Sequence, residues 1–224
     1  MVLEIIQREI ATKGIGYLVL RDCPEDRLGE GLSKGMEKLK KSGAKTVWAT
    51  SLPEGEPLNP GPVGVWRLTH VHDMVSMERS LSDRPKAGGD AKLTFRPVKR
   101  STDEKLYLEL VNRAYFDVPG AKTLRQTDLR APNHRAVLAL QGETAVGAYE
   151  WDLNEKTPEL VTLAVAPEFR RQGLGRAILR AAMEGLKTAA CGLTVSTANP
   201  AALALYESEG FVQTGVVSSW FEVI

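Results

Sequence analysis

The chain has little of what several large protein classes require. Its two cysteines, Cys23 and Cys191, stand far apart among 224 residues. That excludes a disulfide framework, and there is no Cys-x-x-Cys pair for metal or redox chemistry. Histidine is scarce too, with only His70, His72 and His134. The His70-x-His72 pair lacks further ligands at zinc-like spacing and reads as part of a polar strand. No apolar run approaches the ~20 residues of a membrane span. The first twelve residues carry Glu4, Arg8 and Glu9 inside their apolar stretch, unlike a signal-peptide core. Charge of one sign is not in excess, since 29 Lys and Arg face 28 Asp and Glu for a net +1. Nothing there asks for bulk binding to nucleic acid or to a membrane surface. These absences lead to the expectation of a cytoplasmic protein with neither partner.

What is present is ordinary for a soluble globular chain: 43% hydrophobic and 25% charged residues. A chain of this length hides roughly 70% of its unfolded surface, and at ~150 residues per domain it amounts to about one and a half domains. Ser, Asp, Pro and Gly-Gly cluster without apolar period in SLSDRPKAGGDA, residues 80–91. The expected division is therefore a first domain at 1–82, a linker at 83–91 and a second domain at 92–224.

The second domain alternates element types. Strands are expected at Lys92–Val98, Arg135–Gln141, Thr144–Leu153, Leu160–Val165 and Leu193–Ser196. Helices are expected at Thr102–Tyr115 with Thr102 as cap, at Gly173–Lys187, and at Ala201–Ser208 closed by Gly210. Phe211–Val217 and Trp220–Ile224 read as a closing strand pair. The order is β-α-(α)-β-β-β-α-β-α-β-β, with the bracketed helix in the irregular stretch 117–134. This is an α/β domain on one mixed central sheet.

The informative segment is LVTLAVAPEFRRQGLGRAILRAAMEGLK, from Leu160 to Lys187. A buried strand ends at Val165, a short turn follows, and Gly173-Leu174-Gly175 opens a helix. A helix N-terminus offers unpaired N–H groups and partial positive charge. Glycine there lets a ligand approach the backbone closely. Arg170, Arg171, Arg176 and Arg180 add four guanidinium groups within eleven residues, and guanidinium forks match phosphate oxygens. A pyrophosphate fits this arrangement; a tight strand-to-helix turn with a solvated arginine face is the plainer alternative. A Walker A loop is excluded because Gly175-Arg176-Ala177 replaces Gly-Lys-Ser/Thr. A dinucleotide fingerprint is excluded because the third glycine is missing.

Arg170-Arg171-Gln172-Gly173-Leu174-Gly175 resembles the Arg/Gln-x-x-Gly-x-Gly/Ala signature of the GCN5-related N-acetyltransferase (GNAT) superfamily. Asn199 through Tyr206 to Gly210-Phe211 is similar to that family's Asn-x(6)-Tyr-x(3)-Gly-Phe segment. The resemblance covers about Ala91 to Ile224. It implies the GNAT acyl-CoA N-acyltransferase fold and transfer of an acetyl group from acetyl-CoA to a primary amine by direct attack, with no metal and no acetyl-enzyme.

The resemblance also implies roles. The loop from Arg170 through Arg171, Gln172, Gly173, Leu174 and Gly175 to Arg176 would hold the pyrophosphate of acetyl-CoA. The edge formed by Leu163, Ala164 and Val165 would pair with the pantetheine arm, and Asn199 would hydrogen-bond it. Tyr206 would protonate the departing thiolate, a suitable task for a phenol that keeps its proton at neutral pH. Glu159, fourteen residues before Gly173, would be the base, with Glu150 or an ordered water as alternatives. The acceptor pocket would lie around residues 115–133 and the last strand pair, where Tyr115, Phe116 and Trp220 could stack on a substrate or belong to the core. Cys191 is expected before a strand and away from both motifs, so no nucleophilic cysteine is evident.

The N-terminal half reads as a worn copy of the same unit. Cys23-Pro24-Glu25-Asp26-Arg27 parallels Ala166-Pro167-Glu168-Phe169-Arg170, and LGEGLSKGMEKLK parallels LGRAILRAAMEGLK. The counterparts of Arg171, Gln172 and Gly173 are missing. Met1–Ile10 and Ile15–Leu20 would be its hairpin, Thr46–Thr50 the strand after its helix, and Met74–Arg79 its last strand. Pro53, Pro57, Pro60 and Pro62 forbid a second helix. Asp22, Glu25, Asp26 and Glu30 stand where the other copy has arginines, and would repel a pyrophosphate.

The whole is expected to be a tandem protein, a partial GNAT-like domain followed by a complete one, acting on a small-molecule or peptide amine as a monomer or homodimer. Amino sugars, antibiotics, polyamines, peptides and protein N-termini stay open as acceptors, as does a thiol-precursor amine by analogy with mycothiol synthases. The competing reading is a non-catalytic acyl-CoA sensor or a protein-interaction module.

Overall fold

A computed structural model describes residues 2–51, 58–83, 92–118, 121–130 and 132–224. Most of the expected linker (84–91), Ala91, part of the proline-rich segment (52–57), and Pro119 and Gly120 lie outside the described residues. The elements in chain order are β1 (Val2–Ile6), α1 (Ile10–Lys13), β2 (Ile15–Arg21), α2 (Leu28–Lys41), β3 (Thr46–Ser51), β4 (Gly61–Val63), β5 (Trp66–Ser80), β6 (Thr94–Pro97), α3 (Ser101–Ala114), β7 (His134–Gln141), β8 (Thr144–Asp152), β9 (Glu159–Val165), α4 (Leu174–Glu184), β10 (Ala190–Ser196), α5 (Pro200–Ser208) and β11 (Val212–Val223).

The chain forms two compact units. The first comprises Met1–Val75, Ser196–Ala198 and Val216–Ile224; the second comprises Ser76–Val195 and Asn199–Gly215.

In the first unit, β1 runs antiparallel to β2, β2 runs parallel to β3, and β3 runs antiparallel to the end of β11. Helix α2 lays Leu28, Leu32, Met36 and Leu39 against Leu18, Leu20, Val47, Ala49, Phe221 and Val223. These are helix positions at three- and four-residue spacing meeting alternate strand positions. The remaining alternate positions carry rings. Tyr17 meets Trp48 and Trp220 edge-on at 5.9 and 5.6 Å between centroids, and His72 stacks beside Trp220. Trp220 thus packs among rings of its own unit.

In the second unit, β6, β7, β8 and β9 form an antiparallel run, and β9 pairs with β10 in parallel. The two sheet faces bury different helices. Tyr107, Leu110, Val111 and Ala114 of α3 cover Leu138, Ala148 and Ala164. Leu174 and Ile178 of α4 cover Ala139 and Val146 on the other face. Full burial of a side chain such as Ile178 contributes about 1.5–3 kcal/mol.

Several expectations change in detail. The two closing strands are one, β11: Val216–Ser219 contains neither glycine nor proline, and Ser218-Ser219 continues the extended backbone. The first expected strand stops at Ile6; Ile10–Lys13 is a helical turn closed by left-handed Gly14, whose N–H bonds the Ile10 carbonyl. Helix α3 starts at Ser101, with Arg100 at the cap position and no side-chain cap, so Thr102 lies inside the helix. Among the described residues of 117–134 there is a single 3-10 turn, Asp128–Arg130, and no further helix. Cys191 lies within β10 and is buried.

The contact of β8 with α4 leaves no room for a side chain at Gly147. A Cβ there would stand 2.6 Å from the Ala164 carbonyl oxygen and 2.5 Å from Ile178 Cδ1. The carbonyl belongs to a paired strand and cannot retreat, so Gly147→Ala is expected to lower stability by about 1–3 kcal/mol. Urea denaturation at neutral pH reads this, and an unchanged midpoint would show that the contact yields.

Candidate functional site

The site begins where β9 loses a neighbour. Its pairing with β10 covers only Glu159 and Leu160, opposite Gly192 and Leu193. On the other side β9 stays paired with β8, but Thr162 faces Glu150 while Leu160 faces Trp151, so Val161 is an extra residue, a bulge. A bulge bends its strand. Beyond it, the side of β9 that looked toward β10 is an open edge. Backbone groups alternate in direction, and Ala166 donates to Val146 on β8. The main-chain groups of Leu163 and Val165 therefore point to the open side.

Side chains of the same unit occupy that edge. The Tyr115 hydroxyl, just past α3, donates to the Leu163 carbonyl (2.9 Å) and accepts from the Leu163 N–H (3.0 Å). Arg170 donates through Nε to the Val165 carbonyl (3.4 Å) and through its other arm to the Ala114 carbonyl (2.6 Å). Burial pushes the Tyr115 phenol up to about 12, with the Leu163 backbone bond acting against the shift.

The loop after β9 makes a 3-10 turn over Pro167–Phe169 and enters α4 through Gly173. Arg171 and Gly173 are both left-handed, at φ 64° and 76°. Only glycine adopts this region without strain, so Arg171 is an exception of the kind found at binding loops. Among the described residues, no acceptor meets the backbone N–H groups of Arg171 to Arg176. A Cβ on Gly173 would meet nothing within 4 Å. Six unpaired donors at the start of an eleven-residue helix make an anion cradle.

The arginines behave differently from the expectation that all four gather on that cradle. Arg176 and Arg180 both turn to Glu209, at 2.9 and 2.7 Å, and Arg180 is bidentate. Glu209 is buried, and the Arg79 guanidinium holds its carbonyl. The reason is local: Glu209 ends α5, beside the exposed face of α4. With Arg170 folded onto Val165 and Ala114, Arg171 is the exposed member of the set with no bond to another described side chain.

Helix α5 carries the second pattern. Asn199 is its N-cap, with Oδ1 accepting from the Ala202 N–H, and Pro200 occupies the first turn. That leaves the Asn199 amide NH₂ as a donor. Tyr206 is buried, packs edge-on against Phe211, and has its phenol pushed far above the ordinary range, first by burial and then by Tyr115. Such a phenol is a proton donor, never a resident phenolate.

The two carboxylates have contrasting surroundings. Glu159 is exposed at the start of β9, where it accepts from Thr194 Oγ1 (3.0 Å). It precedes Leu163 by four residues, about 13 Å of strand. Glu150 is buried, faces Thr162 across the bulge, and accepts from the Tyr107 hydroxyl (2.6 Å). His134 Nδ1 lies 2.7 Å from its other oxygen. Sequence reasoning missed His134, Tyr107 and Glu209. A signal existed for the first: Glu150 and Asp152 alternate around Trp151, which puts two carboxylates on one face of a strand. Phe116 is exposed. No group of three metal-ligating side chains occurs among the described residues.

Tyr115 gives a prediction with a definite sign. A phenol near 12 when folded and 10 when unfolded contributes stability that is complete below pH 10 and is lost as pH rises through 12. Tyr115→Phe should flatten the fall in unfolding free energy between pH 10 and 12 in urea titrations. Parallel curves for the two proteins would refute the burial of this hydroxyl.

Comparison with known proteins agrees with this geometry. Residues 102–211 match the acetyltransferase (GNAT) family. N-alpha-acetyltransferase RimI of Mycobacterium tuberculosis is 32% identical over 111 residues, covering 48% of this chain and 70% of that protein. Among solved structures, a GCN5-related N-acetyltransferase from Sphaerobacter thermophilus has a TM-score of 0.61 at 14% identity, over 98% of this chain and 75% of that one. A tandem GNAT protein from the clavulanic acid biosynthesis pathway has a TM-score of 0.54 at 17% identity, over 95% of this chain and 75% of that one. With its strand edge, anion cradle and buried tyrosine drawn from the matched region, the chain belongs to the GNAT family of acetyltransferases.

Proposed function

We propose that this protein transfers the acetyl group of acetyl-CoA to a primary amine, by direct attack of the amine on the thioester carbonyl. The observation that carries the reading is the row of unpaired N–H groups from Arg171 to Arg176, at the end of the strand that has lost its neighbour. Those donors would take the pyrophosphate, with Gly173 and Gly175 allowing close approach. The pantetheine arm would follow the Leu163–Val165 edge, and the Asn199 amide would donate to it. This requires the Tyr115 hydroxyl and the Arg170 guanidinium to leave the main-chain groups they hold. The freed Leu163 N–H would then stabilise negative charge on the thioester oxygen.

Tyr206 would give its proton to the leaving thiolate; burial keeps the phenol protonated until the thiolate forms. The amine's own proton goes to a carboxylate. Family resemblance assigns that to Glu159; burial, hydrogen bonding and register beside the bulge favour Glu150. Glu159 would then act on the acceptor's positive charge instead. Holding both reactants in place supplies much of the rate.

For the acceptor, we favour an α-amine of a peptide or protein, since the relative from Mycobacterium tuberculosis is an N-alpha-acetyltransferase. The N-terminal half serves as a partial GNAT-like domain without a cofactor of its own. In support, β2, a 3-10 turn at Glu25–Arg27, α2 and parallel β3 repeat the order of β9, Pro167–Phe169, α4 and β10. Its turn carries Glu25 and Asp26, the first turn of α2 carries Glu30, and Arg27 is paired with Glu30 at 3.1 Å.

Calorimetric titration with acetyl-CoA should give one site per chain; two sites would contradict the role given to the N-terminal half, and no binding would end the acetyl-transfer reading. Tyr206→Phe should retain acetyl-CoA affinity and lose about 10²-fold or more in kcat. Equal turnover by the variant would remove Tyr206 from the chemistry.

A further inference from the structure

We propose that Glu209 sets how tightly this protein holds CoA: its buried carboxylate takes up charge from Arg176 and Arg180, weakens the pull of the anion cradle and lets the product CoA leave. The inference rests on the acetyl-transfer reading, in which acetyl-CoA and the CoA left after transfer share the donors from Arg171 to Arg176.

The placement follows from two helices. Arg176 and Arg180 are four residues apart on α4, so their side chains leave the same face. Arg176 is also in the first turn, and its own N–H belongs to the cradle. Two guanidinium groups at this spacing repel each other and together favour a polyanion. Helix α5 packs against that turn: a Cβ on Gly175 would stand 3.4 Å from Leu205. Four residues after Leu205, Glu209 caps the C-terminus of α5 and faces both arginines.

The contacts are close. Arg176 Nε lies 2.9 Å from Glu209 Oε1. Arg180 is bidentate, with Nε 2.7 Å from Oε2 and a terminal nitrogen 2.9 Å from Oε1. The Glu209 side chain is 1% exposed, against 51% for Arg176 and 28% for Arg180. Arg176 is further restrained by Ser208 Oγ, 3.1 Å away, which gives its own proton to the Leu205 carbonyl. Arg79 holds the main-chain carbonyls of Glu209 and Asp83 together. The carboxylate is thereby kept against α4.

Packing alone does not account for an acid here. Taking a carboxylate out of water is costly, and a well-packed apolar side chain of similar volume avoids that cost. What the carboxylate adds is negative charge beside an anion site. Glu209 faces the first two turns of α4, within about 10 Å of the cradle donors, a separation at which charges are only partly screened. Its charge opposes the phosphates of the ligand. Its hold also keeps the Arg176 guanidinium on α5 and away from the loop. Main-chain donors then carry the binding, and the product dissociates readily.

Calorimetry of the full-length protein with acetyl-CoA and, separately, with CoA reads this without knowledge of the acceptor. Glu209→Gln keeps the side-chain shape and removes the charge. Its affinity for both ligands should rise about threefold to tenfold at about 20 mM salt, and the gain should vanish at about 500 mM. Arg176→Gln should lose affinity by a similar factor with the same salt dependence, and the double variant should return to within about twofold of wild type. A purely structural role predicts the opposite sign, with weaker binding in Glu209→Gln and weaker still in the double variant. A folded Glu209→Gln protein with unchanged or weaker binding, or with a gain that salt leaves untouched, would overturn the proposal. If Glu209→Gln does not fold, Arg176→Gln decides. A loss confined to low salt supports the proposal; unchanged affinity, or a loss that persists at high salt, overturns it. Wild-type protein that binds neither ligand ends the acetyl-transfer reading and the role of Glu209 with it. Wild-type binding with unaltered variants ends the role of Glu209 alone.

Discussion

The constraint on which the second unit depends is that β9 is paired on both sides for two residues and on one side thereafter. A strand in the middle of a sheet cannot ordinarily lose a partner, because each unpaired buried amide or carbonyl costs free energy comparable to a hydrogen bond. Here the bulge at Val161 turns the strand, and Tyr115 and Arg170 then satisfy what β10 no longer reaches. Both substitutes are side chains, which can move aside; a neighbouring strand cannot. The same opening fixes the rest of the arrangement. The loop leaving β9 starts α4 beside the gap, and Gly175 lets Val165 and Leu205 of α5 come close, with 3.7 and 3.4 Å to a Cβ placed there. Tyr206 follows on the next residue of α5.

Much of this was legible from residue pattern. The apolar run at Leu160–Val165, the glycines at 173 and 175, and the segment from Asn199 to Tyr206 located the strand and the two helices where the structure has them; the capping role of Asn199 came from the structure. Elements with strong periodicity were recovered to within a few residues. The failures share a cause. Ser218-Ser219 interrupts an apolar pattern, which looks like a break in sequence, yet a strand end with partners on both sides tolerates polar residues without turning. The direction of the arginines was illegible for a related reason. Composition shows that four cations are near a loop; it does not show that Glu209, more than thirty residues from Arg176, is folded against two of them.

The histidine missed in the sequence is instructive in the same way. His134 has no motif around it, and its meaning comes from the strand opposite. Glu150 and Asp152 are two residues apart, so their spacing already implied a shared face. What the sequence lacked was the register of β7 against β8, which sets His134 opposite Asp152. Pairing across strands is information between distant segments, and a reading confined to local windows does not contain it.

The partnering of Arg176 and Arg180 with Glu209 has a consequence for the way the proposed anion site at this loop would work. With those charges neutralised inside the unit, the attraction of the cradle resides in main-chain donors from Arg171 to Arg176. Main-chain donors are present whatever side chains the gene specifies, provided the turn keeps its left-handed residues. Anion capacity is therefore a property of the turn's shape, and the loop's side chains are free to diverge under other pressures without erasing it. A loop of this kind would lose that capacity by a change of backbone length far more readily than by any exchange of one side chain for another.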